Sequence, residues 1–273
     1  MLEIKSVEKG AELISVKLNG IEKLHDGETF WNRHSPILFP IVGKLKDNKT
    51  IIAGKVYEIG QHGFARDLNF EKIGDNSYVL KSNEETLKKF PFKFELYVSY
   101  EVKSNKLSTR YKVVNKDEKQ MIFGLGGHPA FVCDYSSGKY RIEFEEIEDE
   151  LKIFQLEDGL VSDKETMVKK YFKENRIFLD KHTFEKDAII MKNLKSNKVY
   201  LKTEQKKILC FDFTGFKYLA IWSKENAPFI CIEPWFNTAD TVSSEGHFEE
   251  KENILKIDSN EEFECKYTVE FFE

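Results

Sequence analysis

The chain is poor in cysteine and proline: 273 residues hold four of the first and six of the second. Cys133, Cys210, Cys231 and Cys265 are too scattered for a dense disulfide frame, and no CxxC pair suggests a zinc site. They are expected as buried thiols in a reducing, cytoplasmic setting. Six prolines against 23 Phe, 11 Tyr and 3 Trp exclude a disordered chain. No apolar run reaches about 18 residues, so no membrane-spanning helix is expected. Glu3, Lys5, Glu8 and Lys9 break up any secretory leader. A basic surplus is missing too: 42 Lys and Arg face 47 Asp and Glu, which argues against a nucleic-acid partner.

Several motifs of chemistry are also absent. There is no G-x-S-x-G elbow, no G-x-x-x-x-G-K-[ST] phosphate loop and no H-E-x-x-H pair. Gly124, Gly126 and Gly127 approach a dinucleotide fingerprint. Pro129 stands where its last glycine belongs, and no helix follows.

What the chain does have is period-two alternation. Phe263, Cys265, Tyr267, Val269 and Phe271 alternate with Glu262, Glu264, Lys266, Thr268 and Glu270. Phe94 to Val102 alternates likewise, and Leu107–Val114 follows the turn residues Lys103-Ser104-Asn105, which predicts an antiparallel hairpin. Further strands are predicted over 13–18, 55–59, 77–81, 140–144, 199–202, 208–213, 218–222 and 229–233. Helices are few. Ser82 with Glu85 predicts a capped helix ending before Pro91, and Ser162 with Glu165 predicts a second through Phe172. Many short strands without a βαβ rhythm predict an all-β sandwich, one domain over residues 1–273.

Four strings carry candidate chemistry. In Gly126-Gly127-His128-Pro129-Ala130-Phe131, paired glycines allow close backbone approach and the proline fixes the chain beside an imidazole suited to proton transfer. In Ile230-Cys231-Ile232-Glu233-Pro234-Trp235, a carboxylate ends an apolar strand beside an aromatic, a setting that raises its pKa and suits a general base. Gln61-His62-Gly63-Phe64-Ala65-Arg66-Asp67 sets an imidazole four residues from a guanidinium that can fork onto hydroxyls or phosphate. Arg33-His34-Ser35-Pro36-Ile37-Leu38-Phe39-Pro40-Ile41-Val42-Gly43-Lys44 is an apolar run with cations at both ends. Each string taken alone also suits a plain structural role: a core histidine, an exposed strand end, an Arg66–Asp67 surface pair, a buried strand.

Together, and in this order, the strings resemble the aldose 1-epimerase (galactose mutarotase-like) superfamily, and within it the LacX-like branch. The resemblance spans the whole chain. It implies a large antiparallel β-supersandwich and an isomerase that interconverts the α and β anomers of a free sugar. It implies no metal and no organic cofactor. Carried onto this sequence, the family's acid toward the ring oxygen is His128, and its base toward the anomeric hydroxyl is Glu233. His62 matches a substrate-contacting histidine and Arg66 is the expected second contact; Trp235 and Phe131 could supply apolar faces, but with 37 aromatics in the chain core packing is the default for either. Asp212 resembles an acidic sugar-binding position.

The chemistry is consistent with that pairing, because opening a hemiacetal takes a proton from O1 and gives one to O5. The sequence departs from the family at Gly43-Lys44-Leu45-Lys46-Asp47-Asn48, where an Asn-Arg pair is usual. Arg33, Lys44 and Arg66 instead resemble the cationic positions of hexose-6-phosphate mutarotase-like members. The partner is therefore expected to be a small sugar or sugar phosphate, with no nucleic acid and no membrane. A carbohydrate sensor without catalysis and a glycoside hydrolase are the competing readings.

Overall fold

Alternation becomes pairing in a computed structural model that describes residues 1–149, 151–167 and 172–273. Phe94–Lys103 and Lys106–Asn115 form the expected hairpin, with Leu107 facing Val102 and Lys106 facing Lys103. Ser104, at a φ of 58°, makes the reversal between them. Glu262–Phe271 lies against the other edge of Lys106–Asn115, with Leu107 facing Val269. These three strands sit near the middle of an antiparallel sheet that has ten strands among the described residues. Their alternate residues are buried because one face is dry and the other wet.

A second sheet has eight strands among the described residues. Its middle strands are Tyr218–Trp222 and Phe229–Trp235, paired antiparallel. Every residue of Phe229–Trp235 is buried. That burial explains why the segment reads as an unbroken apolar run instead of an alternating one. One face carries Ile230 and Ile232 into a core shared with the ten-stranded sheet, and the opposite face carries Cys231, Glu233 and Trp235. Phe131 bridges the two sheets, packing on Phe211 and Phe271. The many phenylalanines fill this space: Phe39 alone meets Phe64, Phe90, Phe94 and Phe123. The mainly β architecture expected from the sequence is the one observed.

Two helix expectations change. The first helix is Glu84–Lys89, and its cap is Asn83, not Ser82. The Asn83 side chain accepts from the amides of Glu85 and Thr86, and Thr86 Oγ1 accepts in return from the Asn83 amide. Ser82 Oγ instead accepts from the Phe94 amide. The second expected helix is a strand, Leu160–Met167, paired with Lys152–Glu157. The remainder of that expectation, 168–171, lies outside the described residues. Cross-strand pairing outweighs a local capping pattern here. The four cysteines are free thiols.

Candidate active site

The segment after Gly124 threads between two neighbours. Gly126–Gly127 pairs with Ile37–Leu38 on one side, and Gly126 faces Trp235 on the other. Ala130 then faces Cys231 on the same strand. The register on either side of the break therefore sets His128 opposite Glu233. Glycine is required at this crossing. A Cβ on Gly126 would lie 2.7 Å from the Trp235 ring, and one on Gly127 would lie 2.9 Å from Tyr267. The His128 amide donates to the Pro36 carbonyl at 3.1 Å, which ties the break to the neighbouring chain.

His128 Nε2 comes 3.2 Å from Glu233 Oε2, with only 6% and 1% of the two residues exposed. Neither Glu233 Oε2 nor His128 Nδ1 has a hydrogen-bond partner among the described residues. A buried carboxyl left this way costs stability. Burial pushes the Glu233 carboxyl well above its usual range, the Trp235 indole N–H offsets part of this, Asp187 adds to it and Arg66 opposes it. Burial, then repulsion from Arg66, lowers the His128 imidazole to about 3. Burial thus disfavours the charged form of both groups.

The pair lies in a cleft of about 330 Å³ that also takes in Trp31, Arg33, Gln61, His62, Arg66, Asp187, Trp222 and Trp235. His62 adopts a left-handed φ of 64°, followed by Gly63 at 74°. Its Nδ1 accepts from the Gly43 amide at 3.1 Å, so in the neutral ring the proton sits on Nε2. Burial holds His62 well below its ordinary pKa, with His128, Arg66 and Arg33 adding repulsion. Its ring meets that of His128 edge-on at 5.5 Å. Arg66 donates to the Gln61 carbonyl at 2.7 Å, while its Nε is buried without a partner. Burial lowers Arg66 to about 10, so it remains a cation at neutral pH. Arg33 reaches Asp67 at 2.8 Å.

The structure therefore gathers His128, Glu233, His62, Arg66, Arg33 and Trp235 around one cleft. Two expected contacts, Asp212 and Lys44, lie off the cleft, while Phe131 takes the core place that was its default. Asp212 ends a strand of the ten-stranded sheet, where its Oδ1 accepts from Thr214, and it does not line the cleft. Lys44 turns its ammonium to the Asp158 carbonyl at 2.9 Å, leaving only its neighbour Gly43 on the cleft wall. Phe131 is core, 2% exposed. Sequence reasoning missed Asp187, Trp31 and Trp222. Trp31 packs on the His128 ring at 4.8 Å and Trp222 meets it edge-on at 5.8 Å. Asp187 precedes the apolar strand Ile189–Lys192 at a left-handed φ of 70°, a strained placement at a cleft wall.

An antiparallel sandwich with a buried imidazole–carboxyl pair in a polar, aromatic-walled cleft is a galactose mutarotase-like fold. The family model described as Aldose 1-epimerase matches residues 1–256. Protein LacX of Lactococcus lactis subsp. lactis is 33% identical over 269 residues, covering 91% of this chain and 89% of that one. Among solved structures, a galactose mutarotase related enzyme from Lactobacillus acidophilus is 32% identical with a TM-score of 0.92, covering 100% of this chain and 95% of its own. A galactose mutarotase-like protein from Lactobacillus casei is 31% identical with a TM-score of 0.93, covering 99% and 97%. The chain belongs to the aldose 1-epimerase family, in its LacX-like branch.

Proposed function

We propose that this protein interconverts the α and β anomers of an aldose by acid–base ring opening and closure. The observation that carries the reading is the 3.2 Å approach of His128 Nε2 to Glu233 Oε2 inside the cleft. The two oxygens that exchange protons in a hemiacetal, O1 and O5, share one carbon. An acid and a base that serve them must stand side by side, as these do. Glu233 takes the O1 proton as His128 delivers one to O5, and the open aldehyde rotates and recloses with the roles reversed. The proton count of the pair is unchanged by a full cycle.

With the carboxyl protonated and the imidazole neutral, the form that burial favours, the pair closes the ring: His128 accepts from O5–H while Glu233 donates to O1. With the proton on His128 instead, the imidazolium–carboxylate form opens it. Burial makes each form reactive, since neither group is solvated by water. His62, with Nε2–H as a donor, and the Arg66 guanidinium supply hydroxyl-directed contacts. A cavity of about 330 Å³ falls at the small end of ligand sites and suits a single sugar ring.

A second reading, a phosphorylated sugar, is favoured by the Arg66 Nε that is buried without a partner beside Arg33 on the same cleft. A phosphate would satisfy it and match the fork of the guanidinium.

NMR exchange between anomers, run over a panel of hexoses and hexose phosphates, tests the proposal. The wild type should exceed the spontaneous rate for at least one sugar. Glu233→Gln should lose about 10²–10⁴-fold of that acceleration while keeping its fold. Spontaneous rates across the panel would leave a binding protein, and an undiminished rate in the variant would remove Glu233 from the chemistry.

A further inference from the structure

Cys231 has no part in the proton transfer, yet its thiol lies with the pair. One ligand atom each from His128, Cys231 and Glu233 fall within 4.8 Å of one another. Exposure of the three residues is 6%, 0% and 1%. Cys231 and Glu233 are two residues apart on one strand and share its face, while His128 approaches from the neighbouring chain. The cluster also holds polar atoms without partners, Glu233 Oε2 and His128 Nδ1.

An imidazole nitrogen, a thiolate and a carboxylate oxygen form a donor set typical of Zn²⁺, three protein ligands with a fourth position open. Bond lengths of about 2.0–2.3 Å place tetrahedral donors roughly 3.3–3.8 Å apart. The His128–Glu233 contact at 3.2 Å is already near that spacing. All three ligand atoms lie within 4.8 Å of one another, so about 1 Å of closing at most brings the set to that spacing.

We propose that His128, Cys231 and Glu233 form a binding site for a thiophilic divalent ion of the Zn²⁺ class, and that its occupancy blocks the acid–base pair. The coordination stands on the geometry, and the blocking effect rests on the catalytic reading above. The ion binds deprotonated ligands: the thiol loses its proton to solvent, the carboxyl coordinates as carboxylate and the imidazole in its neutral form. The two anionic ligands then offset the dication. Of the other charged groups on this cleft, Arg66 and Arg33 oppose the ion, Asp187 favours it, and His62 is neutral. The guanidinium groups thus weaken the site without removing its donors, which suits an ion that comes and goes.

Co²⁺ titration of the intact protein reads the donor set through a thiolate-to-cobalt charge-transfer band, whether or not the protein catalyses anything. The band should appear and be displaced by Zn²⁺. Cys231→Ser and Cys231→Ala should abolish it and weaken Zn²⁺ binding beyond the roughly 10–100-fold cost of losing an outer-shell partner. With metal withheld, both variants should keep the wild-type rate of anomer exchange. Zn²⁺ should suppress exchange in the wild type at concentrations that leave the variants active. No charge-transfer band in the wild type, or a band that survives in both variants, overturns the site. A band accompanied by full exchange at saturating Zn²⁺ overturns the blocking role. Absence of anomer exchange from metal-free protein bears on the catalytic reading alone.

Discussion

Replacing His128 by glutamine should flatten the acid side of the stability curve. Burial, with repulsion from Arg66 and Arg33, lowers this imidazole from the ordinary 6.5 to about 3. Below 6.5 the unfolded chain takes up a proton here, while the folded chain waits until about 3. The unfolded state then binds more protons, so stability is complete above 6.5 and is lost as pH falls through that window. Each pH unit costs up to about 1.4 kcal/mol, so the window as a whole amounts to on the order of 5 kcal/mol. That is a large share of the net stability of a folded domain. His62 is held down by the same burial and contributes a parallel loss that the variant retains. Urea midpoints taken in steps from neutral pH down to about pH 4 read the effect. The wild type should fall more steeply than His128→Gln, and the slope is the test, since the substitution also shifts the offset. Parallel curves would refute a buried, neutral His128.

Three further outcomes are expected. Burial holds the His128 imidazole at about 3, so kcat/KM should show no step from it through the ordinary histidine range; a drop by half near pH 6.5 would contradict it. Arg66→Ala should cost a sugar phosphate about 10–100-fold in KM, the worth of a charged hydrogen bond, and its neutral counterpart far less; equal losses would defeat the phosphate reading. Gly63→Ala should destabilise the protein by about 2 kcal/mol or more, because φ is 74° and the added Cβ would lie 2.1 Å from the Phe39 carbonyl oxygen; an unchanged melting temperature would show that the turn yields.

Strands with one wet face were legible because alternation is local: Glu262–Phe271 and Phe94–Lys103 appear where the pattern predicts them. The site was legible where backbone-shaping residues accompany the chemistry, as Gly126, Gly127 and Pro129 do around His128. Asp212 shows the limit of that reasoning. In the sequence it closes an apolar run as Glu233 does, but its strand belongs to the other sheet, and no local pattern tells one sheet from the other. Asp187 was illegible for a related reason, since its place on the cleft wall comes from the strand that follows it. Trp31 and Trp222 were hidden among 23 Phe, 11 Tyr and 3 Trp, most of which fill the core. Ser162 and Glu165 imitate a capping box, but pairing with Lys152–Glu157 decided the outcome.

The cross-strand placement of His128 against Glu233 has a consequence for how the protein fails. A catalytic centre mounted on mobile loops can be lost well before the scaffold melts. Here His128 sits in the break between two short strands that both pair with the strand carrying Glu233, and separating the two groups means breaking hydrogen bonds on either side of it. Heat inactivation and global melting should therefore coincide, leaving no temperature range in which the sandwich persists without its chemistry.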